Sequence, residues 1–167
     1  MSLYYKEEQR FNSWWVIVLF ITLFIGLIIP IYQSVFMGDD AVPLTLLLTV
    51  LATMTLVATL IFRAKLELEI DRFAIRYRFS PFINSWKRID KSEILKAEVV
   101  KYNPITEYGG YGYRRTFNKG KALNVKGSIG LRILYGKNKK LLIGTQKPEE
   151  LKPVIESLLE SKTSDNG

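Results

Sequence analysis

The chain has 167 residues, 24 of them Lys or Arg against 16 Asp or Glu, for a formal net charge of +8 with no His and no Cys. The two missing residue types remove disulfides, thiolate nucleophiles, imidazole bases and the common zinc ligand sets, so the composition points away from catalysis and implies no cofactor. The positive charge belongs to one part of the chain: residues 63–167 hold 22 Lys and Arg against 12 Asp and Glu, a balance that draws anions such as phospholipid headgroups, nucleic acid or an acidic partner.

Residues 1–12 read as a cytoplasmic N-terminal segment. No Asp, Glu, Lys or Arg lies between Arg10 and Asp39, or between Asp40 and Arg63. As a helix rising about 1.5 Å per residue, each stretch is long enough to cross a hydrocarbon layer of about 30 Å. The first span is predicted over about 14–36, with Trp14, Trp15 and Tyr32 at headgroup level, and the second over about 42–62. Met37, Gly38, Asp39, Asp40 and Ala41 make a turn too short for anything but an antiparallel pair, so residues 13–63 form a transmembrane hairpin.

Lys6 and Arg10 before the first span, and Arg63, Lys65, Arg72 and Arg76 after the second, place both termini in the cytoplasm of a multi-pass inner-membrane protein. A cleaved secretory signal fits less well, because the apolar run is longer than a signal core, lacks a small-residue cleavage site and is followed at once by another span. Thr45, Thr49 and Thr53 with Ala52 on the second span, and Thr22 and Gly26 on the first, predict a small-residue packing face. Pro43 suits a first helical turn, whereas Pro30 is expected to bend the first helix or end its regular part about a turn before the outer interface.

From residue 64 the pattern changes to alternation, the mark of half-buried strands. Leu66, Leu68 and Ile70 point away from Lys65, Glu67, Glu69 and Asp71. Phe73, Ile75, Tyr77 and Phe79 repeat the pattern across a tight turn near Asp71 and Arg72. Further strands are predicted over 85–89, 94–102, 111–117, 121–125, 130–135 and 140–143, the last two joined by the turn Gly136, Lys137, Asn138 and Lys139. Glu149 and Glu150 suit a first helical turn after Pro148, and Leu151, Val154, Ile155, Leu158 and Leu159 form one apolar stripe, with Pro153 marking a possible later start of the regular helix. The domain spans 64–160, and the tail 161–167 is expected to be disordered.

The most unusual stretch is Tyr108 to Lys121, where glycines and aromatics alternate with cations. Tyr111, Tyr113, Arg114, Arg115, Lys119 and Lys121, with Lys126 and Arg132, are the candidate contacts for an anionic headgroup or protein partner. The competing reading is a bulged strand pair whose glycines turn the sheet and whose aromatics face the core. Dinucleotide and phosphate-loop motifs fail on spacing, because Arg115 falls where a third glycine is needed and Ala122 follows Gly120 and Lys121 in place of Ser or Thr. Attachment to a membrane disfavours nucleic acid as the partner. Asp90, Glu93, Glu98 and Glu107 are scattered among cations and read as surface-pair partners.

Two apolar spans, six to eight short antiparallel strands and a closing amphipathic helix describe a transmembrane α-hairpin plus a mainly-β barrel or split sandwich on the pleckstrin-homology-like plan. The layout, together with Tyr108-Gly109-Gly110-Tyr111-Gly112-Tyr113-Arg114, Ala122-Leu123-Asn124-Val125-Lys126-Gly127 and Leu142-Ile143-Gly144-Thr145-Gln146-Lys147-Pro148-Glu149-Glu150-Leu151, resembles bacterial membrane proteins with two N-terminal spans and a bacterial PH-like domain. That resemblance implies a membrane-attached domain and no known reaction. The expected function is a non-catalytic interaction or scaffolding module on the cytoplasmic face whose partners are membrane lipids, with two alternatives. These are specific binding of a phosphorylated headgroup or other anionic ligand, and a role as accessory subunit to a membrane enzyme or transporter that would be its protein partner.

Overall fold

The computed structural model describes residues 3–11, 14–37 and 43–164, and the chain divides into two units, Phe11–Ala64 and Met1–Arg10 with Lys65–Gly167. The first unit contains helices α1 (Trp14–Tyr32) and α2 (Leu44–Arg63). Both are long and apolar enough to cross a membrane. The regular part of α1 ends two residues past Pro30 and passes into a single π turn, Gln33–Met37, as expected where a proline removes a backbone donor. Pro43 caps α2. Residues 38–41 of the predicted turn lie outside the described residues.

The helices pair through a different face from the predicted one. The least exposed positions of α2 are Leu47, Leu51, Met54, Ala58 and Ile61, and those of α1 include Val16, Phe20, Phe24 and Leu27, spacings that make a knobs-into-holes seam. Phe20 and Phe62 meet with ring centroids 5.9 Å apart. Thr45, Thr49, Thr53, Thr22 and Gly26 are exposed. Their hydroxyls need no partner helix: Thr49 donates to the Thr45 carbonyl, Thr53 to Thr49 and Thr22 to Val18 at 2.7–3.0 Å, the local return bond that threonine makes inside helices.

The second unit is built from two antiparallel-dominated sheets and α4 (Pro148–Ser164). The first sheet has the order β1-β2-β3-β4, from β1 (Leu3–Arg10), β2 (Lys65–Asp71), β3 (Ala74–Ser80) and β4 (Ile83–Asp90). The second has the order β5-β8-β9-β7-β6, from β5 (Ile94–Lys101), β6 (Gly112–Thr116), β7 (Gly120–Asn124), β8 (Ile129–Tyr135) and β9 (Lys139–Gly144). Among the described strands only β7 and β9 run parallel. Both sheets are open, and a short helix α3 (Pro104–Tyr108) lies between β5 and β6.

The two ends of the β unit differ from the expectation. Residues 3–10, read as a separate segment, are an edge strand hydrogen-bonded along β2, and α4 continues through Ser164, into what was expected to be a tail. The alternation in β1 hides behind its charges. Tyr5, Glu7 and Gln9 share the inner face with Leu66, Leu68 and Ile70, and Lys6, Glu8 and Arg10 face out. The predicted two-sidedness of β2 holds, but its outward acids are covered by cations: Glu67 is buried beneath Lys65 and Arg78, at 3.0 and 2.5 Å. Lys6 with Glu69, and Lys65 with Glu8, continue this ladder at 3.0 and 2.8 Å. Pro153 lies inside α4, whose regular part begins at Pro148. Leu151, Ile155 and Leu158 of the predicted stripe are buried, and the helix packs against β5 and β1.

Asp71 closes the β2–β3 turn. Burial opposes its charge, but the Phe73 amide, the Arg76 guanidinium and the Ala74 amide outweigh that and hold its carboxyl below the ordinary range. A depressed folded-state value means that Asp71 stabilises the fold above the unfolded carboxylate pKa and loses that contribution as pH falls through the lower one. Asp71→Asn is therefore expected to lower stability at neutral pH and to flatten the acid limb of a stability-against-pH curve below about pH 4. Identical acid limbs for the two proteins would contradict this.

Candidate functional site

The stretch singled out by sequence forms α3 and the edge hairpin β6–β7. Asn103 caps α3 by accepting the Ile105 and Thr106 amides at 3.0 and 3.1 Å, and the Glu107 carboxylate returns to the Asn103 amide at 2.8 Å. This reciprocal cap, with Pro104 in the first turn, is a readable helix-start signal that the strand-centred reading passed over. Gly109 ends the helix at φ +74°, a left-handed conformation that glycine adopts without penalty. Tyr102 and Tyr108 then pack edge to face over Ala122 and Leu142, on the outer side of the second sheet.

The register separates the eight predicted contact residues. Successive strand residues point to opposite faces, and Tyr113 lies opposite Leu123 while Arg115 lies opposite Lys121. Tyr113, Arg115 and Lys121 thus share the inner face with Leu141 and Ile143, projecting where the apolar core runs out. Arg114 points the other way, its Nε donating to the Tyr111 carbonyl at 3.1 Å. Lys119 and Arg132 converge on one carboxylate, Glu107, at 2.6 and 3.8 Å. The Lys119 ammonium, followed by the Asn103 amide, holds that carboxyl below its usual range. Lys126 sits apart, in the 125–128 turn, where its carbonyl accepts from the Gln146 amide side chain at 2.7 Å.

What the fold does bring together is a pair of hairpin tips. The β6–β7 and β8–β9 turns flank an open groove of about 1170 Å³ lined by Arg115, Lys121, Lys139 and Lys140, with Asn118 and Asn138. Gly120 permits the close approach: its φ is +79° and an added Cβ would overlap the Lys140 carbonyl oxygen. Lys140 Nζ donates to the Asn118 carbonyl at 3.0 Å, tying the tips together. Lys139 lies 6.0 Å from the centroid of the Tyr135 ring. Tyr135 contacts the Tyr77 hydroxyl across the sheets, and burial, then Tyr135 itself, pushes the Tyr77 phenol well above its ordinary range. Phe117 stands fully exposed at the first tip.

Of the predicted residues only Arg115 and Lys121 line this groove. Lys139 and Lys140 were missed as contacts because in sequence they read as one side of a turn. The run Gly136-Lys137-Asn138-Lys139-Lys140 was the available signal. Compared with family models, curated proteins and solved structures, the chain matches none.

Proposed function

We propose that the protein is a non-catalytic, membrane-anchored interaction module, with a PH-like domain held at the cytoplasmic face of the inner membrane by two spans. The observation that carries this reading is the pair of helices α1 and α2, which keep most of their large apolar side chains exposed, a surface that hydrocarbon covers and water does not. The sheet register supports the topology independently of the flanking cations. β1 precedes the spans and β2 follows them, yet Arg10 pairs with Lys65, so both chain ends of the hairpin belong on one side of the membrane. A four-stranded sheet, a second sheet and a C-terminal helix support the PH-like plan, although the five-stranded sheet with its parallel β7–β9 pair is an elaboration of it.

The groove favours a second reading, recognition of a phosphorylated headgroup or similar anion. Cations from both hairpins line it, and near an anionic surface each such charge contributes on the order of 1 kcal/mol. The full-length chain in nanodiscs of neutral lipid, mixed with vesicles, tests both readings. Association with anionic but not neutral vesicles, fading steadily with salt, is the expected result. Lys121→Glu combined with Lys139→Glu is expected to weaken it roughly tenfold or more. One-to-one saturation by a soluble phosphate ester would favour the second reading, and no association with either would sink both.

A further inference from the structure

Chain connectivity and strand register place one aromatic turn close to where the β unit passes into the apolar helices. β1 ends at Arg10 and α1 begins at Trp14, while α2 ends at Arg63 and β2 begins at Lys65. Arg10 pairs with Lys65, Lys65 pairs with Ser80, and Phe79 pairs with Ile83. Directly paired residues lie about 5 Å apart, and two further residues add at most about 7 Å. Phe82, in the β3–β4 turn, is therefore within about 12 Å of Lys65. No sequence periodicity marks it, because it lies outside the alternating pattern.

The chemistry of the turn matches a lipid interface. Phe82 is 56% exposed and Trp86, in the part of β4 where the register with β3 shifts, is 39% exposed. One face of the Phe82 ring meets Phe79 at 5.5 Å between centroids, anchoring it to the core. The Arg78 guanidinium lies 4.9 Å over the Trp86 ring, and Lys65 stands at the same end of the sheet. Aromatic rings rimmed by cations are the residue set that headgroup regions select, the rings at the acyl boundary and the charges toward phosphate. Lys65 and Arg78 also pair with Glu8 and Glu67 on the outward face of this sheet, so the aromatic rings carry the lipid contact and these cations border it.

We propose that the Phe82 turn, with Trp86 four residues further along, inserts into the headgroup–acyl boundary of the bilayer that α1 and α2 cross, giving the domain a third lipid contact. This rests on the membrane reading of the two helices. The test is fluorescence quenching by brominated lipid of the full-length protein in liposomes. The three native tryptophans are replaced by phenylalanine, and single probes are introduced as Phe82→Trp, Phe73→Trp or Leu23→Trp. Phe73 is also exposed, but it lies in the β2–β3 turn, at the far end of a seven-residue strand, about 20 Å away.

Quenching several-fold stronger at 82 than at 73, with deep quenching at 23, is the expected result. Quenching at 23 with position 82 no more affected than 73 overturns the turn anchor and leaves the membrane reading standing. Absence of quenching at 23 removes both. Equal, strong quenching at 82 and 73 also overturns it, in favour of diffuse adsorption. Should the substituted background not fold, Trp14→Phe with Trp15→Phe leaves native Trp86 as reporter, and its quenching must fall several-fold on adding Phe82→Asp.

Discussion

Glu7→Ala is expected to destabilise the β unit by roughly 3 kcal/mol or more, because three donors lose their acceptor at once. The Glu7 carboxylate accepts from the Tyr5 hydroxyl at 2.6 Å, the Thr145 hydroxyl at 2.7 Å and the Gln146 amide at 2.6 Å. Gln9 adds a bond from its amide nitrogen to the Gly144 carbonyl at 2.7 Å. These contacts fasten the first strand to the end of β9 and the approach to α4, more than a hundred residues away in sequence. Burial and the bond to Glu7 also push the Tyr5 phenol well above its ordinary range, so it stays protonated and donating. Glu8, one residue along, is the control. Its side chain is 38% exposed and meets Arg10 and Lys65 at the surface, so Glu8→Ala should cost no more than about 1 kcal/mol. Chemical denaturation of the full-length chain in detergent reads the difference. Equal effects at the two positions would mean that β1 is not an integral strand.

Gly120→Ala is the second large effect. A side chain at a positive φ costs about 1–3 kcal/mol in backbone strain, and here the new Cβ would also overlap the backbone of Lys140, where overpacking adds about 1–3 kcal/mol. A total loss of about 2–6 kcal/mol is expected. The groove should suffer with it, because relief requires the parallel β7–β9 pair to part, separating Arg115 and Lys121 from Lys139 and Lys140. Gly136→Ala is an informative comparison. Its φ is +53° but nothing lies within 4 Å of its added Cβ, so only the conformational cost applies. If Gly120→Ala and Gly136→Ala lose stability equally, close approach at the groove is not what fixes Gly120.

Much of the fold was legible because local pattern dictated it. Uninterrupted apolar runs specified α1 and α2, alternation specified β2 and β3, and the Gly136 to Lys139 turn fixed the last hairpin, since each follows from a period or a residue's own backbone preference. The helix-pairing face was misjudged. Small residues were assumed to be buried, whereas threonines that satisfy themselves within the helix leave the seam to Leu47, Leu51 and Met54. The candidate contacts were only partly legible for a related reason. Sequence proximity grouped Arg114 with Arg115 and Lys119 with Lys121, but the pleat sends neighbours to opposite faces and Glu107 claims Lys119.

The sequence by itself determined that two apolar helices lead into a cationic β-rich unit, because hydrophobic length and period are properties of consecutive residues. Only the tertiary structure decided that residues 3–10 complete that unit, that Lys139 and Lys140 join Arg115 and Lys121, and that Phe82 shares an end of the sheet with Arg10 and Lys65. Those are matters of strand register, and register is set by pairing between distant segments, which no local pattern encodes.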